Sequence, residues 1–176
     1  MNIMENLVLS KYTEDFVRIA LEFCVLVEKT KPEEKSAFIE NSLKILPLLY
    51  LKVSVIPPIE EFYDSDLENK VTEELYSKTE INLSEILGED NLYLETFHPD
   101  INLSDSPIAV KISEDLADIY QDIGNFIGIF KNGQRETMND SLVQCIENFK
   151  KYWGQRLVNA LRALHHIQYK EEEIQD

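Results

Sequence analysis

Asp115, Asp118 and Asp122 fall at i, i+3 and i+7 in the stretch SEDLADIYQDIGNF. At about 100° per residue, a helix sets three carboxylates with that spacing along one edge. In YWGQRLVNALRALHHI, Tyr152, Arg156, Asn159, Ala163 and His166 recur at intervals of four, three, four and three, so polar groups line one edge of a second helix as well. Facing carboxylates could act as a general base or as cation ligands, with Arg156 clamping an anion. The same residues could instead form interhelix ion pairs, worth about 0–1 kcal/mol each where exposed. Sequence alone leaves both readings open.

The two edges meet only if the chain doubles back between them. A turn at KNGQ, Lys131–Gln134, makes antiparallel partners whose residue numbers sum to about 268, within roughly one helical turn. Asp115 then faces Trp153 with Arg156 a turn away, and Asp118 and Asp122 face Lys150 and Ile146. The candidate polar pocket is Asp115, Asp118, Tyr120, Asp122, Trp153, Arg156 and His165. His165 projects from the opposite shoulder of its helix, beside Val158 and Leu161, so it and His166 do not share a metal on a regular helix. Bundle di-metal sites add Glu-x-x-His pairs from facing helices, and neither of these helices carries one. A three-histidine zinc site would need His98, His165 and His166 to converge. No metal and no cofactor is expected. Glycine-rich phosphate loops and GxSxG are absent, and Ser141 or Cys145 as nucleophile lacks an identifiable base.

The elements that must position these residues are helical. Ser10 caps a first helix to about Thr30, with Tyr12, Phe16, Ile19, Ala20, Phe23 and Val27 as its stripe. Thr30, Pro32 and the following glutamates start a second helix, which Pro47 should kink or interrupt near Leu43 and IPPI ends. DSDLENKVTEELYSK suggests a helix capped at Ser65 or Asp66, and LSEILG another turn or two closed by Gly88. NLYLETFHPD reads as extended chain without a strand partner. The final hairpin carries Ile112, Leu116, Ile119, Tyr120, Ile123, Ile127 and Phe130 on one helix. Leu142, Ile146, Phe149, Trp153, Leu157, Ala160 and Leu164 line the other. With only 5 Gly and 6 Pro, the sequence is sparse in the turn residues an all-β fold needs. The predicted fold is all-α, an antiparallel bundle of four principal helices plus short ones, one domain over 1–176, with an irregular acidic insertion at 57–108 and a frayed tail at 170–176.

The net charge of −16 disfavours nucleic acid. Residues 57–108 hold 14 acids against Lys70 and Lys78, net −12, whereas residues 131–170 hold 7 bases and 3 acids, net +4. The basic segment is thus the one expected beside the aspartate row. The longest apolar run, ILPLLYL, stops at Lys52, far short of the ~20 residues of a membrane helix. The opening residues do not resemble a signal peptide. A cytoplasmic protein is expected, with Cys24 and Cys145 as buried free thiols.

SEDLADIYQDIGNF and YWGQRLVNALRALHHI, with NLYLETFHP upstream, resemble a family of small bacterial proteins catalogued as a domain of unknown function. The family pattern runs Asp-Leu-Ala-Asp-Ile-Tyr-x-Asp, then His-Trp-Gly-x-x-His, then Ala-Leu-Arg-Ala-Leu-His. Asp115, Asp118, Tyr120, Asp122, Trp153, Gly154, Arg162 and His165 match it. Tyr152 stands where the first of the two histidines around Trp-Gly is expected and Arg156 near the second, and His98 replaces the aspartate of Phe-Asp-Pro. A metal or acid–base site built on those histidines would be incomplete here. The resemblance implies the fold and nominates residues; it names no reaction.

The expected function is a non-catalytic interaction or regulatory module whose acidic surface binds a basic protein partner, with the chain a monomer or weak dimer that engages neither nucleic acid nor membrane. Two alternatives remain. One is a ligand-binding or hydrolytic enzyme using the carboxylate, Trp and Arg pocket. The other is an acidic inhibitor or immunity-type protein.

Overall fold

The structure is a computed structural model, and it describes residues 7–60, 62–95 and 108–170. Its first helix, α1 (Lys11–Lys29), begins where expected. The Ser10 hydroxyl accepts the Thr13 amide, and the Thr13 hydroxyl donates to the Leu7 carbonyl at 2.7 Å. Phe16, Ala20, Phe23 and Val27 are buried from its stripe, whereas Tyr12 is half exposed.

In α2 (Lys35–Ser54), a 3-10 turn, Pro32–Glu34, leads in, and the Glu34 carboxylate accepts the Lys31 amide at 2.9 Å. Of the two expected effects of Pro47, a kink or an interruption, the interruption does not occur, and α2 runs through the proline. Its ring lies on the exposed side, where water can satisfy the carbonyl it leaves without a donor. Leu46, Leu49 and Val53 hold the opposite face in the core. Packing on both sides of the proline outweighs its intrinsic cost of about 3 kcal/mol.

The helix expected from Ser65 or Asp66 is displaced. Residues 62–70 form a strap without helix or strand, and α3 (Glu73–Leu87) begins only after Thr72, whose hydroxyl accepts the Leu75 amide at 3.2 Å. Side chains from elsewhere take the strap's amides. Asp140 accepts Tyr63 N at 3.0 Å and Ser65 N at 2.8 Å, and Asn125 accepts Lys70 N and Val71 N at 2.7 Å each. Asp64, between the first pair, has φ 57°, a left-handed conformation that aspartate tolerates and that lets both flanking amides converge on one carboxylate. Gly124 and Gly128 give the strap its seat. A Cβ at Gly124 would come within 2.6 Å of Val71 Cγ2, and one at Gly128 within 2.6 Å of Lys70 Cβ. LSEILG proves to be the end of α3, with Gly88 at its C-cap at φ 56°.

NLYL does find a strand partner. β1 (Leu92–Leu94) pairs antiparallel with β2 (Ala109–Lys111), Tyr93 opposite Val110. The partner is three residues long and runs directly into α4 (Ile112–Phe130), too short to be seen as a strand in the sequence. After the Lys131–Gln134 turn come α5 (Arg135–Asn148), a π-helical turn (Phe149–Trp153) and α6 (Gly154–Tyr169). The fold is all-α apart from this two-stranded ribbon. Its arrangement is built around α4, which packs against α1, α3, α5 and α6, rather than a simple four-membered bundle. Among the described residues no helix is long and apolar enough to cross a membrane. Both cysteines are free and buried. His98 and the tail beyond Lys170 lie outside the described residues.

Candidate functional site

The doubled-back chain brings the aspartate edge of α4 against the polar edge of the last helix, within a turn of the anticipated register, with Tyr152 and Asn148 in the places expected for Lys150 and Ile146. Arg156 Nη1 donates to Asp115 Oδ1 at 3.1 Å, the Tyr152 hydroxyl donates to Asp118 Oδ2 at 2.6 Å, and Asn148 Nδ2 donates to Asp122 Oδ1 at 2.6 Å. Arg156 Nε stands 3.7 Å from Asp118, and its guanidinium lies over the Tyr152 ring at 5.1 Å. Two tyrosines that the helix periodicity could not nominate complete the seam. Tyr93 of β1 donates its hydroxyl to Asp115 Oδ2, and Tyr76 of α3 donates to Asp118 Oδ1 at 2.8 Å. The only sequence signal for Tyr93 was its place in the alternation of NLYL. It points inward between exposed Leu92 and Leu94.

Three of the nominated residues lie elsewhere. Tyr120 faces α1, donating its hydroxyl to Glu28 at 2.7 Å. Trp153 is fully buried, donating its indole N–H to the Cys145 carbonyl at 3.0 Å and packing on Phe149. His165 is exposed, its ring 4.7 Å from that of Tyr169. The helix-wheel argument had placed Tyr120 and Trp153 on apolar stripes, and the structure keeps them there.

The electrostatics follow from burial. Asp115 is 1% exposed, and loss of solvent pushes its carboxyl up to about 6 although Tyr93 and Arg156 both work to lower it. Burial also raises Asp122, which has only the Asn148 amide to offset it and the Asp118 charge adding to the rise. Tyr152 is pushed up to about 12 by burial and then by Asp118. Tyr76 and Tyr93 are raised further by burial and by their carboxylate partners, so all three phenols remain donors. Each oxygen of Asp115 and of Asp118 already carries a donor from this chain. The seam can lock α3, α4, α6 and the ribbon together; it leaves those two carboxylates no oxygen without a donor. Among the described residues, no group of three His, Cys, Asp or Glu side chains is placed to hold a metal.

The family described as "Domain of unknown function (DUF5063)" matches residues 8–170. The chain belongs to that family. Among solved structures, it is similar to protein BF1032 from Bacteroides fragilis, a Northeast Structural Genomics Consortium target. The two share 44% identity over 96% of this chain and 99% of that one, with a TM-score of 0.82. No curated protein matches the sequence. Tyr152 and Arg156 are the two side chains of the last helix that reach Asp118 and Asp115.

Proposed function

We propose that this DUF5063 protein is a non-catalytic interaction module that binds a basic protein through the strap and the start of α3. The observation that carries the reading is the way the strap is held. Its backbone is fixed by Asp140 and Asn125, while Asp64, Asp66 and Glu68 are exposed and the intervening Ser65 and Leu67 are half-buried. Glu73 and Glu74 continue the exposed acidic row. Carboxylates on a pre-organised backbone lose less conformational freedom on binding than those on a loose tail. Their common sign steers a basic partner. The saturated seam supports the same reading, because it assigns the buried Asp115 and its partners to holding the fold. A cytoplasmic location, with the chain a monomer or weak dimer, belongs to this proposal.

The experiment is a pull-down with the wild type and an Asp64→Asn/Asp66→Asn/Glu68→Gln triple variant, at about 0.05 M and about 0.5 M salt. The expected result is a basic protein retained at low salt, released at high salt and absent from the variant. Capture of no basic protein, or equal capture by the variant, would sink the idea. An acidic inhibitor of a basic toxin is the special case in which the captured protein is an enzyme or toxin that loses activity. The rival enzymatic reading rests on the raised carboxyl of Asp115 and would gain from a ligand that protects Arg156 from modification.

A further inference from the structure

Asp122 is the member of the aspartate row with no cation. Asp115 and Asp118 share Arg156, whereas among the described residues Asp122 makes no ion pair and accepts a single hydrogen bond, from Asn148 to Oδ1. It borders a cavity of about 50 Å³ between α4, α5 and the strap. Liquid water takes about 30 Å³ per molecule, so this space holds one or two small species. The other polar walls are Asn69, Asn125, Ser141, Gln144 and Asn148.

Their oxygens are not equally free. Asn125 spends its carbonyl on the Lys70 and Val71 amides. Asn148 uses its amide N–H on Asp122, and Ser141 gives its hydroxyl proton to the Met138 carbonyl at 2.8 Å. That leaves Asp122 Oδ2, Asn148 Oδ1 and the Ser141 lone pairs as acceptors that receive no donor from the described residues. Gln144 and Asn69 stand at the exposed rim. A half-buried carboxylate with neutral oxygens around it, and another aspartate one turn away, is a field that favours positive charge. The geometry points to an alkali cation bound by Asp122, Asn148 and Ser141, with the rim amides or water completing its shell. One carboxylate is too little charge for a tight calcium site, and magnesium holds its water too firmly for amide oxygens. Cys145 also lines the cavity, but burial holds its thiol well above the ordinary value so that it offers no thiolate, and no imidazole stands beside it as zinc would favour.

The test is thermal unfolding of the full chain in sodium, potassium or choline chloride at matched ionic strength. The wild type should melt about 2–5 °C higher in at least one alkali salt than in choline. Asp122→Asn keeps the acceptor for Asn148 and should erase the difference, and Ser141→Ala should reduce it. As a second readout, the wild type should broaden the ²³Na resonance and potassium should reverse the broadening. Equal melting in all three salts overturns the site. So does an alkali effect that survives intact in Asp122→Asn, which would be diffuse screening of the −16 charge. A response to calcium with none to sodium or potassium overturns the monovalent assignment.

Discussion

Arg156 donates to Asp115 at 3.1 Å across the seam between α4 and α6, and the carboxylate it meets is 1% exposed. Removing the guanidinium would strand that charge in the interior. Arg156→Met should therefore destabilise the fold by about 2–4 kcal/mol, read from the midpoint of urea unfolding. The double variant Asp115→Leu/Arg156→Met should recover part of the loss, because a buried pair replaced by apolar groups is far less costly than a broken one. Additive losses would show that the two residues are not coupled.

The pH dependence has a definite sign. The Asp115 carboxyl rises from an ordinary 3.8 to about 6 on folding, so between those values the folded chain binds a proton that the unfolded chain releases. Its contribution is fully present below about pH 4 and lost as the pH rises through about 6, at most about 3 kcal/mol. Asp122 acts in the same direction, whereas Asp90, held low by Lys170 and Lys35, loses its contribution as the pH falls through its lowered value. Denaturant midpoints at pH 5 and pH 7.5 should differ more for the wild type than for Asp115→Asn. The variant differs from the wild type by a single charge out of a net −16, so general repulsion is nearly matched between the two.

The strap should be separable from the helices. Asn125→Ala removes the acceptor of two backbone amides, and Gly128→Ala places a methyl 2.6 Å from Lys70 Cβ. Each should cost about 1–3 kcal/mol. Hydrogen exchange should speed up at the amides of Tyr63, Ser65, Lys70 and Val71 in both variants, while α1 and α2 keep their protection. Unchanged exchange across the strap would contradict the anchoring described above.

Gly154 has a different reason to be glycine. A Cβ there would lie 2.5 Å from the Phe149 carbonyl oxygen, and backbone cannot move aside as a side-chain tip can. Gly154→Ala should lower stability by about 2 kcal/mol or more and disturb the Phe149–Trp153 ring packing, visible as a shift of the single tryptophan's emission.

Much of this was legible from periodicity. The α4 stripe, the Ser10 cap, the KNGQ turn and the pairing of the aspartate row with the Arg156 edge all follow from three- and four-residue spacing, which survives packing. What periodicity misses is long-range. Tyr76 and Tyr93 reach the seam from α3 and β1, 42 and 22 residues before their aspartates, and no local pattern marks such a contact. The strap reads as a helix start because Ser65 or Asp66 offers a cap and Leu67, Val71 and Leu75 have helical spacing. The competing acceptors, Asn125 and Asp140, lie more than fifty residues away. Pro47 shows the converse, a strong local breaker overruled by the burial of Leu46 and Leu49.

The wide turn at Phe149–Trp153 also sets the phase of everything after it. A π-turn carries one residue more than the α-helix it interrupts, so α6 is rotated by about 100° relative to a straight continuation of α5. Deleting one residue there would let the backbone relax into an unbroken helix with every amide bonded. Arg156 would then point away from Asp115 and Asn159 away from Glu95. A single extra residue thus indexes the two halves of the last helix independently, one to Asp122 and the other to Asp115.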